Sequence, residues 1–403
     1  MKKVIFGLLC ILTFLIRGYA QEEAMSFLLI HPSPDLNGMA GAFTALPAND
    51  AFGFYFNPAQ LGNFSRESNF SYHFYDGNVD WLPEFTNADL TFRSMAISAG
   101  YNFKSLNPGI PVSIGFGYIN TNLNLGKSVL MDEHGNFVSV YDSYEKYYGY
   151  SIGIGIDYYV RFNIGYSKKY AESKVGAFDP EKTSVSDFGL QLTVPFVALF
   201  LPHKKWNDTF LPFFEFSFGY NLANKGGYVT YLNLHGSAPL PRKAQLGYAI
   251  SFGFHTKNEQ YTLQMFKFDW ASEAHDLLTE RRPDGSNDYV DSPGSINLWH
   301  NVFLGKGGNG VYIFQGWRFA LAETFRYSQG RFWGPGWSKY QKTSGFTIRT
   351  RGLMKWLTGL NESAAIKFIA RHFELSYSQA RYTSPEPLNY TQFKGLSLSV
   401  FGF

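Results

Sequence analysis

From about residue 68 onward, large apolar residues alternate with small or polar ones in segments of about ten residues. Tyr148, Tyr150, Ile152, Ile154 and Ile156 alternate with Gly149, Ser151, Gly153, Gly155 and Asp157. Val160, Phe162, Ile164 and Tyr166 repeat the pattern against Arg161, Asn163, Gly165 and Ser167. Phe188 to Val194, Phe214 to Tyr220 and Leu246 to Phe254 repeat it again. A period of two puts one set on each face of a strand. After residue 20, no stretch is apolar enough for a membrane helix. Only helices and closed barrels satisfy every backbone polar group in lipid. The pattern therefore predicts an all-β chain that crosses a membrane as an antiparallel barrel of roughly fourteen strands.

A β-sandwich also alternates, but its strands are commonly about 5–6 residues long. Here a short turn at Asp157-Tyr158-Tyr159 joins two long segments, and a polar loop is expected over Ala171 to Ser186. The final apolar run ends at Phe403, resembling the C-terminal assembly signal of bacterial outer-membrane barrels. The larger breaks, Leu199 to Pro212, Ala271 to Ser295 and Ser328 to Thr343, are polar and rich in Gly or Pro. All three are expected on the extracellular side. Trp81, Trp206, Trp270, Trp299, Trp317, Trp333, Trp337 and Trp356 are placed near strand ends, as interfacial girdles or as loop anchors.

Residues 1–20 carry Lys2-Lys3, an apolar run from Val4 to Ile16 and small residues at Gly18 and Ala20. These are the marks of a cleaved secretory signal. The chain has 35 basic and 32 acidic residues, and this segment holds Lys2, Lys3 and Arg17 with no acid. The expected mature chain is thus formally neutral, which argues against a nucleic-acid partner. The single cysteine, Cys10, leaves with the signal, so thiol chemistry, disulfides and thiolate metal sites are not expected. The organisation predicted is a signal at 1–20, an N-terminal hatch at 21–66 and a barrel over 67–403.

Residues 21–66 do not alternate. They read Phe27-Leu28-Leu29-Ile30-His31-Pro32, Asp35-Leu36-Asn37-Gly38-Met39-Ala40-Gly41-Ala42-Phe43 and Phe56-Asn57-Pro58-Ala59. Small residues and turn formers suit a compact plug in the lumen. The Gly-Met-Ala-Gly-Ala-Phe stretch followed by Asn-Pro-Ala resembles the hatch of FadL-type hydrophobic-compound transporters. The preceding Phe-Leu-Leu-Ile with Pro-Asp-Leu-Asn-Gly-Met is closest in appearance to the PorV/PorQ-type barrels associated with type IX secretion. The resemblance singles out Gly38, Met39, Gly41, Asn57, Pro58 and Ala59 as the hatch motif.

Two functions follow from that resemblance. The preferred one is a non-enzymatic outer-membrane partner for secreted proteins or secretion-system components, docking them on loops that carry Trp206, Arg281 and Arg282. The other is a channel for uptake of hydrophobic small molecules. Either would sit in the lipid of a Gram-negative outer membrane, with no cofactor and no metal. Three catalytic look-alikes are set aside. Gly149-Tyr150-Ser151-Ile152-Gly153 lies mid-strand, where a nucleophile elbow cannot form. Gly305 to Gly310 precedes a strand rather than a phosphate-binding helix. Asp187-Phe188-Gly189 is read as no more than a strand start. The nine His show no metal-ligand spacing, and Asp132, Glu133, His134 and Asp142 are read as a solvated hairpin.

Overall fold

A computed structural model describes residues 23–402 apart from 85–89, 106–108, 110, 177–178, 201–208, 231–236, 258–260, 283–286, 309, 338–339, 361–362 and 385–386. The expected signal at 1–20 and Phe403 therefore lie outside the described residues.

Fourteen antiparallel strands form one closed wall. They are β1 Phe70–Tyr75, β2 Thr91–Asn102, β3 Val112–Met131, β4 Phe137–Asp157, β5 Arg161–Lys174, β6 Glu181–Pro195 and β7 Phe210–Lys225. The second half comprises β8 Lys243–Lys257, β9 Thr262–Leu277, β10 Val311–Leu321, β11 Phe325–Trp333, β12 Gln341–Arg349, β13 Phe373–Tyr382 and β14 Gln392–Val400. Each pairs with its sequence neighbour. The wall closes because β1 pairs with both β14 and β2. Closure leaves no unpaired edge.

The faces are inverted relative to a soluble sheet. Tyr150, Ile152, Ile154 and Ile156 on β4 point outward and are exposed, while Ser151 points inward and is buried. On β5 Phe162, Ile164 and Tyr166 point outward, and Asn163 and Ser167 point inward. An apolar exterior around a polar interior is the arrangement lipid demands.

The ends of the barrel are distinguished by the chain itself. The last strand finishes at the terminal end, near Asn69 and Phe401. The opposite, loop end carries the longer excursions. Several strands are far longer than the sequence suggested: β3 and β4 have 20 and 21 residues. A bilayer needs only about 9–11 tilted residues, so the surplus continues past the wall as a two-stranded ribbon. The same extension takes Ala171 to Lys174 and Glu181 to Ser186 into β5 and β6, where a loop was expected.

The expected common side for the three large loops is corrected. β6 ends at Pro195 and β7 begins at Phe210, both at the terminal end, so the connection expected over Leu199 to Pro212 leaves and re-enters the wall there, whereas Leu277 and Val311, and Trp333 and Gln341, are strand ends at the loop end. Strands alternate direction, so consecutive connections must alternate ends. Ala271 to Leu277, Ser328 to Trp333 and Gln341 to Thr343 are strand rather than loop.

Candidate functional site: the N-terminal segment and the outer cavity

Residues 24–65 run inside the barrel and are almost entirely buried, with Met39, Phe43, Leu46, Phe52 and Ala59 inaccessible. Two short helices, Gly53–Phe56 and Gln60–Glu67, sit among loops. The segment braces against both sides of the wall. On one side Thr343 of β12 donates to the Gly38 carbonyl (3.0 Å) and accepts from the Ala40 amide (2.9 Å). Met39 packs on Gly316 of β10 and Gly330 of β11, where a Cβ would collide with it.

On the other side Asn57 donates to the carbonyls of Thr44 (2.7 Å) and Leu190 of β6 (3.0 Å). Its side-chain oxygen accepts from the Ala59 amide at 3.0 Å, closing an Asx turn. Pro58 then lies against Gly153 of β4 and Gly165 of β5. Gly100, Gly115, Gly153, Gly165 and Gly189 oppose one another in register across β2 to β6. They form a belt without side chains into which the segment presses. Gly41 adopts φ +76°, a left-handed turn that a Cβ would drive into His31 and Phe56.

Thus Gly38, Met39 and Gly41 belong to one bracing point, and Asn57, Pro58 and Ala59 to another across the lumen. Trp206 lies outside the described residues. Arg281 and Arg282 stand on a small hairpin, Thr279–Arg281 with Asn287–Tyr289, where Arg282 pairs with Asp288 at an exposed rim. Trp270 and Trp317 oppose each other in mid-strand, not at strand ends.

Between the segment and the loop end opens a cavity of about 1010 Å³. Leu29, Ile30 and His31 form its floor; Phe314, Phe332, Trp337, Tyr382, Trp81 and Leu388 form its walls. Phe314 and Phe332 stack at 5.1 Å, and His275 stacks on Phe314 at 4.1 Å. A buried polar group lies at one side of the floor. His275 Nε2 is 2.6 Å from Glu273 Oε1, whose other oxygen accepts from the Thr44 amide at 2.8 Å. Burial, followed by the charge of Lys243 and the neighbouring His275, pushes the His31 pKa well below the ordinary histidine value.

Beneath the segment, at the terminal end, the lumen is charged. Arg318 chelates Asp269 with two bonds of 2.9 and 2.8 Å, and Arg349 holds Glu374 similarly. Arg326 pairs with Asp35 at 2.5 Å. Burial alone would raise the Asp35 pKa, but Arg326 and Arg318 outweigh it and hold that carboxyl at about 2. The lumen is therefore lined mainly by aromatic side chains with a few polar groups toward the loops, filled by the segment in the middle and ionic below.

Trp81 and Trp337 were read from the sequence as interfacial girdles or loop anchors and Leu29 to His31 as part of the plug; none of the lining residues was read as part of a ligand cavity. The available signal was Lys267, Asp269, Glu273 and His275 at alternate positions of β9, which mark a lumen-facing row.

The loop after β9 also differs from expectation. Residues 290–304 fold back over the outside of β8 to β10, burying Ala244, Ala274, Val311 and Ile313 beneath Ile296 and Val302. Ser272 donates to the Val302 carbonyl at 3.1 Å, and Asp276 accepts from the Ser295 amide at 2.5 Å. The part of this loop beyond the hairpin is a strap on the wall, committed to its own barrel.

No protein-family model matches the sequence, and no curated protein matches it. Among solved structures it is similar to the Pseudomonas putida toluene transporter TodX, at 10% identity and a TM-score of 0.38, covering 95% of this chain and 100% of that one. It is similar to the CymD monoaromatic hydrocarbon channel at 10% identity and 0.38, with 93% and 98% covered. A Pseudomonas aeruginosa FadL homologue aligns at 9% identity and 0.33, with 92% and 97% covered. The likeness is distant. The secretion-partner expectation is corrected on these findings: the neighbours are a toluene transporter, a monoaromatic hydrocarbon channel and a FadL homologue, which favour the small-molecule channel over it.

Proposed function

We propose that this chain is a FadL-like outer-membrane barrel that takes up a hydrophobic small molecule through the loop-end cavity. The cavity carries the reading. Its volume suits a small ligand, and its lining is aromatic with a few convergent polar groups. Transferring an apolar solute from water onto Phe314, Phe332, Trp337 and Tyr382 gains about 25 cal/mol per Å² of apolar surface buried.

In this reading residues 1–20 are a cleaved export signal and residues 21–66 act as a hatch. The loop end faces the exterior and the terminal end the periplasm. The hatch keeps the cavity from opening directly into the ionic chamber below, so passage requires its rearrangement. The protein's work is binding and passage, with no bond made or broken.

The test is saturable binding of a fluorescent apolar probe to the detergent-folded barrel, paired with uptake into proteoliposomes. Phe314→Glu and Phe332→Glu are expected to weaken binding at least about tenfold, since each replaces apolar contact surface with a carboxylate that an apolar solute would have to desolvate. Unchanged binding in both folded variants would overturn the proposal.

A further inference from the structure

The outer wall of β10 to β13 carries an ordered lattice of side chains. Cross-strand register places Gln315, Arg331, Lys342 and Thr383 side by side in a row near the loop end, just below Ile313 and Trp333. Trp317, Gln329, Ser344 and Arg381 form the next row, and Phe319, Tyr327, Phe346 and Gln379 the one below. Leu321, Phe325, Ile348 and Tyr377 complete it. The face thus grades from cationic to aromatic to apolar, and its upper part is hollowed by a depression of about 570 Å³.

Two features argue against a merely solvated rim. β11 and β12 have nine residues each, which a bilayer needs in full. Arg331, Lys342 and Arg381 each stand within two residues of the loop-end terminus of their strand and so at the membrane boundary, not above it. Arg331 and Lys342 are also directly opposed like charges, a pairing that destabilises a sheet. Across the barrel on β4, by contrast, the exposed Lys146 has Glu172 at 3.1 Å. Among the described residues no carboxylate lies within ion-pair distance of Arg331, Lys342 or Arg381. Arg331 is oriented instead by Gln315, with Nη2 at 2.9 Å and Nε at 3.3 Å from its oxygen, and by the rings of Trp333 and Tyr340.

We infer that this face binds the phosphate-bearing headgroup of an outer-leaflet lipid. Arg331, Lys342 and Arg381 take the phosphate, and the acyl chains lie on Phe319, Tyr327, Phe346 and Ile348. Guanidinium and ammonium groups complement phosphate oxygens through charge-assisted bonds, and a bound phosphate removes the repulsion between Arg331 and Lys342. The inference rests on the outer-membrane reading above, but not on what passes through the lumen.

Native mass spectrometry of the full barrel in nonionic detergent tests it. The probes are lipid A with its phosphates, the same lipid dephosphorylated, phosphatidylglycerol and inorganic phosphate. The barrel is expected to retain phosphorylated lipid A, and the Arg331→Gln, Lys342→Gln, Arg381→Gln triple variant to lose at least about tenfold in occupancy. Retention of phosphatidylglycerol in preference to phosphorylated lipid A would overturn the assignment. Equal retention by the variant, equal retention of dephosphorylated lipid, or binding of inorganic phosphate alone would overturn it. Heat-modifiable gel migration shows that the variant is folded. Its apolar-probe binding should match the parent, so failure of the channel reading registers separately.

Discussion

Asn57 donates its side-chain amide to the carbonyl of Leu190 at 3.0 Å, a bond that ties the buried N-terminal segment directly to strand β6 of the wall. The same amide reaches Thr44 at 2.7 Å, and the same side chain caps Ala59. One residue therefore fixes a turn, a neighbouring loop and the barrel.

Asn57→Ala removes all three interactions and leaves buried carbonyls short of a donor. A cost of about 1–3 kcal/mol is expected, concentrated in the segment because the wall keeps its ladder. Limited proteolysis of the folded barrel should show faster cleavage within residues 24–65 at unchanged heat-modifiable migration. A protection pattern identical to the parent would refute this.

Gly165→Ala places a Cβ 2.2 Å from the carbonyl carbon of Pro58, a backbone atom that cannot swing aside. Displacement of the segment or failure to assemble is expected. Gly77→Ala, with nothing within 4 Å, should match the parent. Equal folding yield and proteolysis for the two variants would show that the glycine belt is not what seats the segment.

Asp187 was read from the sequence as a bare strand start, yet it is buried, 2.7 Å from Lys169, and its other oxygen caps the Asn224 amide at 2.7 Å. Asp187→Ala leaves an ammonium buried without its counter-ion, at an expected cost of about 3–5 kcal/mol. Asp187→Leu with Lys169→Met removes both charges and should recover much of that loss. Urea unfolding of the three proteins measures the difference; a double variant no more stable than Asp187→Ala would disprove it.

His31 is buried among Tyr55, Phe56 and Phe314 with its pKa depressed by burial, Lys243 and His275. A depressed histidine stays neutral when folded but takes up a proton on unfolding once pH falls below about 6.5. Its contribution is thus present above that value and lost as pH falls toward the folded pKa. Protease sensitivity of residues 24–65 should rise between pH 7 and pH 5. His31→Phe should flatten that rise, and an equally steep profile would exclude His31 as its origin.

The two-residue period determined the class of fold by itself. Backbone satisfaction in lipid allows few alternatives, and alternation assigns each residue to a face before any partner is known. It also set Gly153 and Gly165 on the face opposite Ile152 and Ile164. What it could not supply was height along the barrel. Register decides that Gly153 meets Pro58, and that Arg331, Lys342 and Arg381, scattered over three strands, become neighbours. The direction of each connection followed only from a complete strand count, which is why Leu199 to Pro212 was put at the wrong end. The cavity was equally hidden. Its lining comes from residues between Ser26 and Asn389, and only closure of the wall around the N-terminal segment brings them within reach of one ligand.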